Sequence, residues 1–141
     1  MPTRNSSAEW RGNLKEGAGS MRLGSGAFEG QYSFSSRFES GTGTNPEELI
    51  AAAHAGCYSM ALSNMLSQAG HPPTSVHTTA SVHFGPVEGG FAITRIDLET
   101  TGDVPGMSEE DFLRHAEAAK VGCPVSKALA AVEITLSAKL A

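Results

Sequence analysis

Absences narrow this 141-residue chain before any motif does. Cysteine occurs only twice, as Cys57 and Cys123, too widely spaced for a metal knuckle, a C-x-x-C redox motif or a disulfide-rich scaffold. In a reducing compartment such residues are thiols, either two buried bystanders or a transient redox pair, rather than a lasting bridge. Basic clusters are missing. With 15 acidic and 10 basic residues the net charge is −5, which gives neither nucleic acid nor an anionic membrane an electrostatic hold. Small neutral substrates are easier to accommodate. No apolar run qualifies as an export signal, since Met1 to Ala18 is polar and carries Glu9, Lys15 and Glu16, so the cytoplasm is the expected location. Repeats and low-complexity segments are also lacking. A chain of this length suits one domain with one core across residues 1–141.

What is present is organised around Asn45 to Gly70, which reads as a long buried helix. Asn45 can cap the free N–H groups of the first turn, Pro46 fits the first helical position, and Glu47 and Glu48 place negative charge at the positive end of the helix dipole. Gly70 can close the last turn in a left-handed conformation, and His71-Pro72-Pro73 forbids continuation. Between these ends most side chains are small or apolar and no face is clearly polar. His54, Ser59, Ser63, Asn64, Ser67 and Gln68 make the segment a poor membrane span, so a protein interior is expected around it. The small residues Ala51, Ala52, Ala53, Ala55 and Gly56 would let a second copy of the helix approach closely, which motivates a homodimer.

The rest of the chain reads in order as follows. Ala8 to Leu14 and Gly19 to Leu23 suggest two strands around a Lys15-Glu16-Gly17 turn. Gly24 to Gly30 suggests a further turn, and Tyr32-Ser33-Phe34-Ser35 alternates like a strand that becomes loop near Arg37. Glu39 to Thr44 is a flexible linker to the helix. Val76, Thr78, Ala80, Val82 and Phe84 alternate with polar residues as a strand with one covered face. Phe91 to Thr101 follows as a strand paired antiparallel with it, and its apolar positions change parity between Ile93 and Ile96, which predicts a bulge or burial on both faces. Ser108 with Asp111 resembles a capping box opening a helix to Gly122. Cys123-Pro124 restarts a short helix to about Leu129, and Val132 to Leu140 alternates as a final strand. This order favours α+β with a largely antiparallel sheet over a doubly wound parallel one. One small sheet cannot enclose the long helix, whereas two sheets from two chains could enclose a pair.

Chemistry could reside in the thiols. Cys57, in a buried helix, is ordinarily a small hydrophobe whose burial disfavours the thiolate. It needs a nearby cation, and the candidates are His54, one turn earlier on the same face, and Arg37. Cys123, at the cap of a helix begun by Pro124, could face the positive dipole end and be the more acidic thiol, or simply cap and pack. A Cys57–His54 pair would suit a thiol hydrolase or a metal site, but no further ligand stands at convincing spacing. The remaining histidines, His71, His77, His83 and His115, read as surface residues.

The runs NPEELIAAAHAGCYSMAL, VGCPVSKAL and SSRF, with the spacing from Arg37 to Glu47, Cys57 and Cys123, resemble the OsmC-like family across nearly the whole chain. This is the osmotically inducible branch of the OsmC and organic hydroperoxide resistance proteins. The resemblance implies an intertwined homodimer with two sheets around paired central helices, and a thiol-dependent peroxidase acting on organic hydroperoxides. It implies that Cys57 is the peroxidatic cysteine, that Cys123 resolves it as an intramolecular disulfide, and that Arg37 stabilises the thiolate while Glu47 orients Arg37. No bound cofactor or metal is implied. The reductant would be an external dithiol, protein-bound dihydrolipoyl groups in the hydroperoxide resistance branch.

Physical chemistry supports such roles, because a guanidinium stays charged at working pH and its fork can hold a carboxylate while facing sulfur or peroxide. Tyr58, Met60, Ala61 and Leu62 would suit an alkyl or aryl tail, or merely pack the core. One difficulty is geometric. Glu47 and Cys57 lie about 15 Å apart along a continuous helix, so either the helix begins later than Asn45 or a partner chain contributes the carboxylate. A noncatalytic small-molecule binder or structural stress protein of the same fold is the alternative function.

Overall fold

The computed structural model describes residues 1–141, and the chain divides into two compact units, Met1–Leu49 and Ile50–Ala141. No helix is long and apolar enough to cross a membrane.

In the first unit β1 (Ser6–Arg11), β2 (Ala18–Leu23) and β3 (Glu29–Tyr32) form an antiparallel sheet in that order. The turn after β1 is fixed by Asn13, whose side-chain oxygen accepts the Glu16 N–H at 2.7 Å and whose carbonyl accepts the Gly17 N–H at 3.0 Å. Gly19 must lack a side chain, because a Cβ there would come within 2.7 Å of the Trp10 and Tyr32 rings.

The strand expected over Tyr32 to Ser35 is not formed: β3 begins at Glu29, at the end of the expected turn, and finishes at Tyr32. Ser33 caps a short helix, α1 (Phe34–Phe38), by accepting the Ser36 N–H, while the Ser36 hydroxyl accepts the Ser33 N–H. Reciprocal serine capping satisfies two otherwise free donors, so this stretch coils although its alternation resembles a strand. Arg37 therefore lies in the last turn of a helix. The Ser36 hydroxyl also donates to the Thr44 carbonyl at 2.8 Å, anchoring the linker that leads to α2 (Pro46–Gln68).

The start and end of α2 follow the expected signals. Asn45 accepts the Glu48 N–H at 2.8 Å, and Gly70 takes a left-handed φ of 88°. In the second unit a stripe of α2, His54, Tyr58, Leu62 and Leu66, is completely buried, each residue four beyond the last and so on one face. The same core holds Ile96, Leu98, Phe112, Ala116 and Ala119, and full burial of a leucine such as Leu62 contributes about 2 kcal/mol. Ala52, Ala53, Gly56, Met60 and Asn64, on another face, are exposed.

After α2, β4 (Ser75–Val87) and β5 (Gly90–Asp103) pair antiparallel, with a register shift between His83 and Phe84 that leaves Thr94 as the extra residue. The bulge falls where the parity change predicts it. Both strands run further toward their turn than the sequence pattern suggests. Next come α3 (Glu109–Gly122), α4 (Pro124–Ala128) and β6 (Glu133–Leu140). Ser108 caps α3 by accepting the Asp111 N–H at 3.2 Å. The sheet order is β4-β5-β6, and β6 runs parallel to β5, as a long helical crossover permits. The architecture is α+β, with two three-stranded sheets and one parallel pairing in an otherwise antiparallel arrangement.

Candidate active site

The two cysteines meet in the second unit. Cys57 sits midway along α2 and is partly accessible, whereas Cys123 is buried where α3 ends and α4 begins. Its N–H closes α3 on the Ala119 carbonyl at 2.9 Å and its carbonyl accepts the Lys127 N–H at 3.0 Å, opening α4. Pro124 fits the first position of α4 because no donor is needed there. The Tyr58 hydroxyl donates to the Ala116 carbonyl at 2.9 Å, tying α2 to α3. These elements hold the two sulfurs 3.0 Å apart, both as free thiols, roughly 1 Å beyond a disulfide bond length.

The two thiols differ in acidity. Burial pushes Cys57 up, and its hydrogen bond with Cys123 adds to this, opposed by the Val125 N–H. Burial also acts to raise Cys123, but the Cys57 thiol, the Ser126 N–H and hydroxyl, and the Val125 N–H outweigh it and lower the thiol's pKa. Cys123 forms no side-chain cap hydrogen bond of ordinary geometry, so the N–H groups of α4 act on its sulfur chiefly as oriented dipoles. Cys123 is thus the more acidic thiol within the chain, as its place at a helix start predicts.

His54 does not supply the cation that Cys57 needs. It is fully buried, and burial lowers its pKa, leaving a neutral imidazole. Its Nε2 lies 2.7 Å from the Ser126 hydroxyl. No cluster of three or more His, Cys, Asp or Glu is placed to hold a metal ion.

Arg37 and Glu47 meet in the first unit. The guanidinium donates through Nε to Oε1 and through Nη2 to Oε2, both at 3.0 Å, a bidentate fork that fixes its orientation. Glu47 is buried, and Arg37 also stands over the Phe38 ring at 5.5 Å. Arg37 lines a cavity of about 350 Å³ with Trp10, Tyr32, Phe34 and Phe38. This aromatic cavity is missed in the sequence because its residues come from separate elements; the spaced aromatics flanking Arg37 are its only trace. Of Tyr58, Met60, Ala61 and Leu62, expected either to meet a substrate tail or to pack the core, Tyr58 and Leu62 are core residues and Met60 is exposed.

The helix α2 begins at Pro46 and is unbroken through Cys57. The expectation of a later start is therefore wrong, because Asn45 caps the helix where the sequence places a cap. Roughly ten helical residues from Glu47 to Cys57 span about 15 Å.

Two free thiols in contact between packed helices make this an α+β scaffold with a candidate dithiol site. Residues 39–137 match the model of the family described as OsmC-like protein, and the chain belongs to that family. It is 52% identical over 134 residues to Peroxiredoxin OsmC of Escherichia coli strain K12, covering 94% of this chain and 93% of that protein. It is 34% identical over 99 residues to an organic hydroperoxide resistance protein of Xanthomonas axonopodis pv. citri, covering 69% and 68%. Among solved structures, an organic hydroperoxide resistance protein from Elizabethkingia anophelis shares the fold at a TM-score of 0.74 and 23% identity, covering 100% and 96%. A putative organic hydroperoxide resistance protein from Vibrio cholerae, with captopril bound in one of its active sites, aligns at a TM-score of 0.75 and 25% identity, covering 99% and 93%.

Proposed function

We propose that this protein is a cysteine-based peroxidase that reduces organic hydroperoxides, in defence against oxidative or osmotic stress. The observation that carries the reading is the 3.0 Å contact between two free thiols, in a family whose relatives include a peroxiredoxin and organic hydroperoxide resistance proteins. Cys57, the more accessible thiol, attacks the distal peroxide oxygen as its thiolate. The O–O bond breaks, the alkoxide leaves and takes a proton to become the alcohol, and Cys57 is left as a sulfenic acid. The Cys123 thiolate then attacks that sulfur, an S–S bond forms, and hydroxide departs with a proton as water. An external dithiol, such as a protein-bound dihydrolipoyl group in the cytoplasm, supplies two electrons and two protons and restores both thiols.

Burial raises the Cys57 pKa, so this cycle needs a cation at Cys57. The Arg37–Glu47 fork is that cation in a homodimer: a second copy presents its fork to Cys57, because Glu47 lies too far along α2 to hold an arginine at the cysteine of its own chain. Pairing through the exposed Ala52, Ala53, Gly56 and Met60 face of α2 brings two such helices together. The aromatic cavity beside Arg37 takes the alkyl or aryl tail, which favours organic hydroperoxides over strongly hydrated hydrogen peroxide.

The test follows peroxide loss and free thiols together in reduced protein given an alkyl hydroperoxide or hydrogen peroxide. Faster loss of the alkyl substrate is expected, with no turnover in Cys57→Ser. In Cys123→Ser the first oxidation survives and dithiol recycling falters. Full activity in Cys57→Ser would overturn the assignment, and a noncatalytic binder would consume neither peroxide.

A further inference from the structure

The cycle above leaves a line of buried polar groups behind Cys123 without a task. Ser126 is the third residue of α4, whose N-cap is Cys123, which places it within one helical turn of that cysteine. The same hydroxyl lies 2.7 Å from His54 Nε2. Ser126 is 4% exposed, and His54 and Cys123 are fully covered. The other ring nitrogen, His54 Nδ1, is buried and has no partner.

That unpartnered atom fixes the direction of the line. A serine hydroxyl has one proton to donate. Were the His54 proton on Nδ1, a buried N–H would stand unmade and Ser126 would have to donate toward Nε2. With the proton on Nε2, the ring donates to Ser126, the serine proton is free for sulfur, and only a lone pair is left bare. Buried donors without acceptors are the rarer defect, so the second arrangement is favoured.

We propose that His54 is a positioning residue for the resolving thiol: its Nε2–H holds the Ser126 hydroxyl so that the serine proton points to Cys123 Sγ and favours the thiolate that attacks oxidised Cys57. The proposal rests on the peroxidase reading for its place in the cycle, but the observed His54–Ser126 contact does not. Burial keeps His54 neutral, and the Ser126 hydroxyl is among the groups that lower Cys123. The other groups facing this sulfur are Cys57 and Tyr58 of α2 and the N–H groups of α4. Tyr58 is itself raised by burial and by the charges of Glu117 and Cys123.

The experiment has two readouts. First, the Cys123 thiolate is titrated by its ultraviolet absorbance in a Cys57→Ser background, which needs no reagent to reach the buried sulfur. Ser126→Ala and His54→Leu each move the midpoint up by about one pH unit, a tenfold change in ionisation. His54→Gln, whose amide can donate from the place of Nε2, and Ser126→Thr, which keeps the hydroxyl, stay near the parent. Second, with Cys57 present, a sulfenic acid trap measures the lifetime of the oxidised intermediate after an alkyl hydroperoxide pulse. Ser126→Ala and His54→Leu prolong that lifetime several-fold without slowing its formation. A midpoint unchanged in both variants, or a shifted midpoint with an unaltered lifetime, overturns the proposal. A shifted midpoint in a protein whose Cys57 is never oxidised sinks the peroxidase reading and leaves the hydrogen-bond line standing.

Discussion

Arg37 shows how one side chain joins charge to geometry. Its fork is held by Glu47 through two bonds of 3.0 Å, so its direction is set as well as its charge, and N–H donors remain for a second partner. Lysine would preserve the charge but offers no planar fork. Arg37→Lys is therefore expected to lower kcat/KM for an alkyl hydroperoxide by about 10²-fold, the scale of losing an aligned donor at a reacting centre. Steady-state peroxide consumption measures this, and an activity within twofold of the parent would refute the need for the fork. The residue types of the site were legible in local signals, and the family resemblance already paired Cys57 with Cys123 and Arg37 with Glu47, as their contacts do; the aromatic cavity beside Arg37 was not legible. The cap at Cys123-Pro124 is visible as a helix start, whereas the His54–Ser126 contact joins positions remote in sequence and leaves no local mark.

Elements differ in how openly they announce themselves. Helix α2 carries a capping Asn45, a first-turn Pro46 and a terminal Gly70, and local chemistry alone sets its ends. Helix α1 is hidden because Ser33 and Ser36 cap each other within a run that alternates polar and aromatic residues like a strand. The direction of β6 has no sequence signal, since alternation marks a covered face and not the sense of the chain. On the exposed face of the β4–β5–β6 sheet, Asp97 accepts from Thr135 at 2.6 Å, lies 2.7 Å from His83 Nε2 and pairs with Arg95 at 3.0 Å. Thr135 first, then His83 and Arg95, hold its carboxyl down to about 2. A depressed folded-state value means stabilisation present above the ordinary carboxylate range and lost as pH falls through the folded one. Thermal melts should thus show the parent losing stability between pH about 4 and about 2, with a smaller loss in Asp97→Asn. Equal losses would show that the network adds nothing to stability.

For the whole molecule the property that matters most to the proposed cycle is association. The exposed small residues of α2 and the long separation of Glu47 from Cys57 both point to a second copy. Gly56 separates folding from pairing, because a Cβ there meets nothing within 4 Å in the chain. Gly56→Leu should leave the secondary structure and thiol contact intact while converting a dimer to a monomer by light scattering. Its peroxidase activity should fall with the dimer. A stable dimer in Gly56→Leu would place the interface elsewhere. Composition motivates the dimer proposal, as a helix with small and apolar residues on every side in a chain too small to cover it, and Gly56→Leu tests it.

The most direct test of the central claim adds one equivalent of an alkyl hydroperoxide to fully reduced protein and follows thiol content and intact mass. The account predicts that both thiols disappear together, joined as a Cys57–Cys123 disulfide, with no oxygen retained on the protein. Oxygen retained on Cys57 while Cys123 stays free, or two thiols left untouched, would contradict it.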